Sequence, residues 1–444
     1  MEHSTQLEEM LCERMMAGVQ APHSLSEMEQ RLRKVLLWLG RVVLGLWLMW
    51  LEKPQREREV RCRCGGSATY RYRRTAILRT MFGQVKYRRA YHTCATCQQG
   101  TYPLDDQLGL RPNAMSAEME RLAGIVGVER PFEQGSRLFA ELTLVSLSDH
   151  SLDKAAQGYG EEQMKREAEW QAEAYAVNAV LDQKRTAKPP GRLYGAIDGG
   201  RVHIRGEEGV EDALWRELKA GAWFTTRALP PAKPGDEWSI RAENIHYYAD
   251  ICEAEIFSRL VWSTGFQQHA QLAQELIILG DGARWIWDLV DEHYPHAIQI
   301  VDWFHACAYL EPVAKVAFSD QAKRQAWIHQ TKNALWKGHL FEVIAACRQH
   351  VDPQREDDPA QKAVTYYTNN RHRMEYATYR ANGYHIGSGT IESGIKQIGT
   401  QRMKVAGAFW NFESARKVAK ARAAYLSDQW DALAARRTHL QRAA

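Results

Sequence analysis

Three acidic residues lie near glycines at the predicted ends of strands or at the start of a helix, a placement that suits metal binding. Asp281 follows the apolar run Leu276–Leu279 and stands between two glycines in ELIILGDGARWIW. Asp198 follows a shorter apolar run in LYGAIDGGRVHIR, and Glu392 lies in HIGSGTIESGIKQ, in the first turn of a predicted long helix. Plainer interpretations exist, because Asp-Gly commonly forms turns and an acid at a helix N-terminus complements the helix dipole. Two strand ends and one helix start can converge, so we expect the three carboxylates to form one site.

Converging carboxylates predict a magnesium site. Mg²⁺ takes hard oxygen ligands and keeps several waters, so a few acids can hold two ions. Two ions about 3.5–4 Å apart can activate an attacking oxygen and stabilise the leaving oxygen of an in-line phosphoryl displacement. The expected cofactor is therefore Mg²⁺ or Mn²⁺, with two ions per active site.

Short strands must position the first two acids. The run Leu193–Ile197 predicts a strand that ends at Asp198, with Gly199-Gly200 as a turn and RVHIR as the return strand of a hairpin. Further predicted elements are the helices Glu253–Thr264 and Ala283–His293 and the strands Ile277–Leu279 and Ala297–Val301. Their alternation indicates an α/β domain with a mixed sheet.

Another aspartate also ends a predicted strand. Asp302 follows Ala297–Val301 in IQIVDWFHA, with His305 three residues later. Asp302 could therefore replace Asp281 as the second metal ligand. The glycines beside Asp281 favour Asp281, and Asp302 and His305 are then expected to lie in the core behind the ligands.

Four of the eight cysteines form two close pairs. These are Cys62 and Cys64 in CRCGG, and Cys94 and Cys97 in CATC. Between them lie two stretches rich in β-formers, with a hairpin turn predicted at Phe82-Gly83. Two cysteine turns brought together by a hairpin supply the tetrahedral thiolates that structural Zn²⁺ prefers, although the first pair is spaced Cys-x-Cys rather than Cys-x-x-Cys. Four thiols with accidental spacing are the alternative.

The same hairpin is strongly cationic. Residues 60–100 contain nine Lys or Arg and no Asp or Glu. The residues expected to bind DNA are Arg71, Arg73, Arg74, Lys86, Arg88 and Arg89, which alternate with tyrosines. Cations suit phosphates and aromatic faces suit bases or sugars, and with no acid nearby these cations stay available to a polyanion. A solvated basic surface without a ligand is the alternative.

Composition is that of a globular, multidomain chain: 444 residues, 45% apolar and 25% charged, with a net charge of only +4. Single cysteines outside the two pairs fit a reducing cytoplasm. One segment, Val35–Leu51, is apolar enough to suggest a membrane span, but it is short and contains Arg41. A helix buried in protein or in a dimer contact is favoured, with no membrane partner.

Five segments are predicted along the chain. They are an N-terminal helical region 1–59, a zinc-ribbon-like basic module 60–105, a helical region 106–183, a linker 184–192 and a catalytic domain 193–430. In the helical region, Ser116–Gly127 predicts one helix, Pro131 the first turn of the next, and Ser148 the cap of a third. The last two could form a helix-turn-helix that binds DNA.

Several motifs together resemble a known family. GDGARWIWDL, IQIVDWFHA and IGSGTIESGIKQIGTQRMKVAG are similar to motifs of ISKra-type insertion-sequence transposases, within the DDE group. The resemblance also includes the cysteine hairpin and AIDGG, and covers the chain from about residue 60 to about residue 425. It implies a ribonuclease H-like catalytic core with a helical insertion, 309–383, and an acid triad of Asp198, Asp281 and Glu392. In related families the second acid is followed by Cys or Asp, two residues and His, which DWFH fits.

The predicted function is DNA transposition by a metal-dependent endonuclease and strand transferase. It would cut the ends of an insertion sequence and join them to target DNA. The expected partners are double-stranded DNA, as element ends and target, and further copies of the chain in a homodimer or higher oligomer on DNA, in the cytoplasm and associated with the nucleoid. Further phosphate-binding candidates are Lys396, Arg402 and Lys404. The alternatives are a catalytically inactive DNA-binding regulator derived from a transposase, and a structure-specific nuclease on the same core.

Overall fold

The computed structural model describes residues 24–56, 59–205, 214–230, 239–387, 389–405 and 408–443. The chain forms two compact units. Unit 1 consists of residues up to Glu162 and from Trp430 onward, and unit 2 is Gln163–Gln429. Helices and two separate sheets are both present, which confirms the expected mixture of α and β structure.

The elements follow one another in this order. Up to the unit boundary they are α1 (Leu25–Glu52), β1 (Val60–Arg61), β2 (Ser67–Thr80), β3 (Gly83–Cys94), β4 (Gly100–Thr101), α2 (Pro103–Leu108), α3 (Ala117–Glu129), α4 (Phe132–Thr143) and α5 (Asp149–Ala174), which contains the boundary. Unit 2 continues with α6 (Ala179–Thr186), β5 (Arg192–Ile204), β6 (Leu214–Leu229), β7 (Ser239–Asp250), α7 (Ala254–Gln267), β8 (Glu275–Gly280), α8 (Arg284–His293), β9 (Ile298–Val301), α9 (Trp303–Ala308), α10 (Leu310–Ala317), α11 (Gln321–Trp336), α12 (Leu340–Arg348), α13 (Pro359–Asn369), α14 (Tyr376–Ala381), α15 (Gly389–Ile395), a π-helical turn (Lys396–Thr400), α16 (Gln401–Met403) and α17 (Phe412–Leu426). The last helix, α18 (Trp430–Ala443), returns to unit 1.

In unit 1 a long antiparallel hairpin, the ribbon β2–β3, is the centre of a four-stranded sheet. Thr80 pairs with Gly83, so the turn lies where Phe82-Gly83 predicted it. Helix α1 packs on the ribbon, where Leu48 joins a buried cluster with Leu78 and Tyr87. The ribbon thus gains a core that its two strands alone would lack.

The helices after the ribbon begin close to the predicted positions. Ser116 caps α3, its hydroxyl accepting from the Met119 amide, and Pro131 directly precedes α4. Ser148 accepts from the Ser151 amide at the start of α5. Side chains of α3, α4 and α5 form a second buried cluster that includes Met119, Phe139 and Leu152.

Unit 2 contains a five-stranded mixed sheet in the order β7-β6-β5-β8-β9. Strands β5, β6 and β7 are antiparallel neighbours, and β8 and β9 run parallel to β5. The observed β8 and β9 contain or closely match the predicted strands Ile277–Leu279 and Ala297–Val301. The predicted linker 184–192 is partly helical, because α6 continues to Thr186.

The predicted turn at Gly199-Gly200 is wrong. Strand β5 runs straight through Asp198 to Ile204, and its antiparallel neighbour is β6 rather than RVHIR. The glycines permit close approach instead of a turn. A Cβ at residue 199 would lie 2.7 Å from Glu217 Oε1, and one at residue 200 would lie 3.2 Å from Ile395 Cγ2.

Helices cover both faces of this sheet. Asp198 and Gly200 point to one face of β5, because side chains alternate along a strand. Helix α15 packs on that face, where Ile395 meets Gly200. On the opposite face, Trp223 donates through its indole N–H to Thr264 of α7. The segment 309–383, predicted as a helical insertion, contains α10 to α14.

Helix α1 is only partly buried by unit 1. Within the described residues it is the one helix long and apolar enough to cross a membrane by length and composition, a test that core helices of soluble proteins also pass. Leu48 and Glu52 are its buried residues. The helix was expected to be buried in the protein or in a dimer contact, and unit 1 buries only the face that includes Leu48 and Glu52.

Candidate functional site

Three aspartates occupy one row across neighbouring parallel strands of unit 2. Ile197 of β5 pairs with Gly280 of β8, which pairs in turn with Val301 of β9. The next residue on each strand path is an aspartate: Asp198, Asp281 and Asp302. Neighbouring strands lie about 4.8 Å apart, so this register alone places the carboxylates side by side.

Burial and neighbouring charge act together on Asp198. Its side chain is buried, and this burial, followed by the negative charge of Asp281, raises the pKa of the Asp198 carboxyl to about 6. The Gly199 amide donates to Asp198 Oδ1 at 2.7 Å and opposes the shift. A carboxylate in this environment gains from any cation that enters.

Asp302 supports His305. It is fully buried and caps α9, since its Oδ1 accepts from the His305 amide at 2.7 Å. The same oxygen lies 3.1 Å from His305 Nδ1, and this hydrogen bond raises the pKa of His305. Asp302 is fully buried and its Oδ1 accepts two contacts from His305, whereas Asp281 is half-buried, so Asp281 is the more accessible of the two to a metal ion.

Asp281 combines the two interpretations weighed above. Its Oδ1 accepts from the Ala283 amide at 2.8 Å, which is the turn contact expected of Asp-Gly. The residue is only half-buried, and the other carboxylate oxygen makes no hydrogen bond within the described residues. Tyr366 of α13 donates to the Asp281 carbonyl at 2.8 Å and packs where a Cβ on Gly282 would lie, so Gly282, at φ +97°, is required there.

Glu392 lies on the correct face of the sheet, but its carboxylate is turned to another partner. It is three residues before Ile395, the residue of α15 that meets Gly200, and these positions share a helix face. The carboxylate pairs with Lys396 Nζ at 2.7 Å. The structure brings Asp198 and Asp281 together but does not bring the Glu392 carboxylate to them.

The predicted phosphate-binding residues of this region differ in exposure. Lys404 is exposed, and Lys396 is exposed apart from its pair with Glu392. Arg402 is only 1% exposed and lies over the ring of Trp410. Packing against Trp410 keeps the Arg402 guanidinium away from the surface, and its contact with phosphate stays a prediction.

In unit 1 the four paired cysteines converge. Cys62 Sγ lies 3.5 Å from Cys97 Sγ, and Cys64 Sγ lies 3.6 Å from Cys94 Sγ. All four sulfurs lie within 4.8 Å of one another, so the cluster could hold a metal ion such as zinc. Four thiolates about 2.3 Å from a tetrahedral Zn²⁺ would lie about 3.8 Å apart, which the cluster nearly matches. Among the described residues, this is the one group of His, Cys, Asp or Glu with such geometry.

Backbone contacts support the cysteine cluster. The Cys97 amide lowers the pKa of the Cys94 thiol to about 6, whereas contacts with the neighbouring thiols outweigh the Gln99 amide and raise the pKa of the Cys97 thiol, so a metal would have to displace the Cys97 proton. A Cβ at Gly66 would lie 2.5 Å from Thr96 Oγ1 and 3.1 Å from Cys94 Sγ. Gly66 therefore allows the Cys-x-Cys turn to close against the second pair.

The cations of the ribbon fall into two groups. Arg71, Arg74, Lys86 and Arg88 are exposed and make no ion pair within the part of the chain that the structure describes. Arg73 instead pairs with Glu52 at 2.9 Å, and Arg89 pairs with Asp105. The expectation that no acid pairs with these cations is wrong for Arg73 and Arg89, because the two acids come from α1 and α2, outside the acid-free stretch.

Tyrosines connect the exposed and paired cations. Tyr72 and Tyr91 have ring centroids 5.0 Å apart, and Tyr91 and Tyr102 have theirs 5.1 Å apart. Arg74 donates to the Tyr72 hydroxyl at 2.9 Å. This aromatic row offers flat faces beside free cations, as single-stranded or distorted nucleic acid would require.

Comparisons with known proteins include a distant likeness to a solved structure. The structure described as "Drosophila P element transposase strand transfer complex" aligns with 71% of this chain and 80% of its own, at 9% identity and a TM-score of 0.23. This TM-score is too low for a common fold to follow. No protein-family model matches the chain, and no curated protein matches it.

Sequence reasoning did not find one residue beside the aspartate row and one beside the ribbon. Tyr366 reaches the Asp281 carbonyl from a helix 85 residues away, and Asp105 reaches Arg89 from α2. No local pattern marks either one. The raised pKa of the Asp198 carboxyl likewise depends on its burial and on residues distant in sequence, namely Asp281 after β8 and His305 of α9.

Proposed function

We propose that this protein is a DNA transposase of the DDE type, which cuts element ends and joins them to target DNA. The row of Asp198, Asp281 and Asp302 on adjacent parallel strands carries the proposal. A mixed five-stranded sheet with helices on both faces and acids at its centre supports a ribonuclease H-like core. Acids of this kind serve phosphoryl transfer when divalent metal is present.

Asp198 and Asp281 would be the first ligands of a magnesium or manganese site. Asp198 is buried beside the negative charge of Asp281, which a cation would offset, and Asp281 keeps one oxygen unoccupied within the described residues. Glu392 would complete the set once its carboxylate leaves Lys396, since its helix already lies on the face of Asp198. Bound metal would supply activation of the attacking oxygen and stabilisation of the leaving oxygen.

The chain's own residues would prepare that site. Asp302 holds His305 in one orientation through Nδ1, which leaves Nε2 available for a hydrogen bond to substrate or water. Lys396, released from Glu392, would stand one helical turn away and could contact a phosphate. Burial keeps the field of Asp302 strong, because little water screens it.

The ribbon would dock DNA. Its four exposed cations present positive charge without an internal partner among the described residues, and the tyrosine row lies beside them. The cysteine cluster would hold structural Zn²⁺ and so fix the open end of the hairpin. Element ends and target are the expected duplexes.

The decisive experiment measures cleavage and joining of a linear duplex that carries the inverted repeats flanking the gene, with Mg²⁺ or Mn²⁺. Asp198→Asn and Asp281→Asn should each reduce cleavage at least about 100-fold while DNA binding persists. Asp288→Asn on α8 is the matched control, because Asp288 is exposed and pairs only with Arg284. Full activity of Asp281→Ala together with inactive but folded Asp302→Ala would move the second ligand to Asp302.

One observation favours a second function, a DNA-binding regulator without catalysis. Glu392 is satisfied by Lys396 and stays apart from the aspartates. A regulator of this kind would bind the repeats as tightly as proposed above, yet leave them uncut with either metal. Cleavage by the wild-type chain that disappears in Glu392→Gln excludes it.

A further inference from the structure

A heptad pattern runs along helix α1. Positions three and four residues apart are apolar over four heptads, and we call these eight residues the seam: Leu25, Met28, Leu32, Val35, Leu39, Val42, Leu46 and Met49. Apolar residues alternating at three and four over four heptads are typical of a coiled coil.

The seam lies opposite the face that packs on the ribbon. Leu48 is buried in the ribbon core, and Leu44 and Leu51 pack against the same cluster. Leu39 of the seam is nine residues from Leu48, which is about 180° around a helix of 3.6 residues per turn. Helix α1 therefore has one apolar face that packs on the ribbon and another that unit 1 leaves largely in solvent, since five of the eight seam residues are exposed and Val35, Leu39 and Val42 are half-buried.

Exposure of the seam is large. Leu25 is 70% exposed, Leu32 54% and Met49 52%. Monomeric soluble proteins rarely keep an apolar patch of more than a few hundred Å² in water. A strip as long as this helix, about 42 Å, and about 10 Å wide covers about 400 Å² before side-chain relief is counted. That is of the same order as the roughly 800 Å² per partner of a stable interface.

We propose that the seam of α1 forms a coiled coil with α1 of a second copy of this chain. The two copies would present the same surface to each other, as a two-fold dimer requires. This inference rests on α1 alone and does not depend on the proposed catalytic function.

The N-terminal half of α1 distinguishes a second copy from a membrane. Over residues 25–34 the seam residues Leu25, Met28 and Leu32 are the apolar ones, and every other position is polar or charged: Ser26, Glu27, Glu29, Gln30, Arg31, Arg33 and Lys34. A membrane-spanning helix needs apolar residues on all sides, whereas a coiled coil needs them only along its seam. The seam continues through this charged segment without interruption, as a contact with another helix requires.

Space for that helix exists beside the C-terminal half of the seam. A groove of about 1320 Å³ opens at the side of α1 beside the ribbon, and its helical side is lined by Val42, Leu46 and Met49, which lie nearer the ribbon than Leu39 does. Its strand side includes Lys86 and Arg88, so nucleic acid is the competing occupant.

Sedimentation equilibrium of the full chain without DNA tests the proposal. The wild type should be a dimer, and Leu32→Glu or Leu39→Glu should weaken dimerisation at least about 100-fold, because each removes two buried leucines per dimer. Trp47→Glu is the matched control: Trp47 is 62% exposed on α1 but lies off the seam, so the dissociation constant should change less than about threefold. Unchanged zinc content and circular dichroism in the variants would show that α1 still packs on the ribbon. Leu32 lies outside the half of α1 that packs there, so its substitution should not disturb that contact.

Three results would overturn the proposal. The first is a monomeric wild type at about 50 μM, well above the dissociation constant of a stable dimer. The second is a helix that acts as apolar on all sides. It would be shown by equal weakening of dimerisation in Trp47→Glu and Leu39→Glu, or by flotation of the chain with phosphatidylethanolamine–phosphatidylglycerol vesicles. The third is a dimer that forms only on a duplex of about 30 base pairs and survives both seam substitutions, which would assign the groove to DNA.

Discussion

Asp198 and Asp281 stand at the same level of two neighbouring parallel strands, because Ile197 pairs with Gly280 one residue earlier. The pairing joins residues 83 positions apart and leaves two carboxylates facing one small region. Buried Asp198 responds with a pKa raised to about 6. The folded protein therefore holds a charge arrangement that opposes its own stability at neutral pH, as sites prepared for a cation commonly do.

Replacing Asp198 should stabilise the fold while abolishing cleavage. A carboxyl whose pKa is raised on folding stabilises the folded state below pH 4 and loses that contribution as pH rises through about 6. Asp198→Asn should then raise the free energy of unfolding by about 1–3 kcal/mol at pH 7.5, and by little at pH 4. Urea denaturation at both pH values measures the difference. Asp288→Asn, at an exposed position, should stay within about 0.5 kcal/mol, and a destabilised Asp198→Asn would mean that the site is structural.

Removing Asp302 should affect His305 as well as stability. Asp302→Ala deletes the cap of α9 and a buried hydrogen bond, so the free energy of unfolding should fall by about 1–3 kcal/mol. The pKa of His305 should fall too, because its hydrogen bond to Asp302 raises it in the wild type. Histidine titration by NMR measures this shift. An unchanged His305 pKa in a folded Asp302→Ala would contradict the role given to Asp302.

The cysteine cluster should bind one zinc ion per chain. Cys94→Ser should lose the metal and the amide protection of residues 62–97 in hydrogen exchange, since structural zinc supplies folding free energy to a small module. Cys252→Ser is the control, because Cys252 is a free cysteine of unit 2 and is not one of the four clustered cysteines. Elemental analysis after dialysis against a weak chelator measures the zinc content of the wild type and of both variants. Zinc-free wild-type protein would refute the assignment.

Neutralising two groups of ribbon cations should have different effects. The first variant replaces four exposed cations with glutamine: Arg71, Arg74, Lys86 and Arg88. The slope of log binding constant against log salt concentration should become shallower by up to about 3.6, since each phosphate contact contributes about 0.9. Arg73→Gln should leave that slope unchanged but destabilise unit 1 by about 1–3 kcal/mol, because it removes two hydrogen bonds to the buried Glu52, which keeps its ion pair with Arg56 at 3.6 Å. Titration of both variants with duplex at several salt concentrations separates them. An unaltered slope in the first variant would mean that DNA docks elsewhere.

Local patterns were sufficient for many elements of this protein. Apolar runs located β8 and β9, Ser116 marked the start of α3, and Phe82-Gly83 marked the ribbon turn. The spacing of four cysteines predicted a cluster that the structure contains. Each of these features depends on residues a few positions apart or on a simple hairpin, so the sequence by itself determined them.

Tertiary structure decided what the local pattern left open. Gly199-Gly200 has the composition of a turn, yet it lies inside β5, because Glu217 and Ile395 approach so closely that a Cβ would clash. Arg73 looks like its free neighbour Arg71 until α1 brings Glu52 to it, and Arg402 looks like an exposed cation until Trp410 covers it. In each instance the deciding partner is absent from the residue's own strand or turn. Charge, burial and pKa depend on what lies within a few ångströms in space, and for this chain folding alone determines those neighbours.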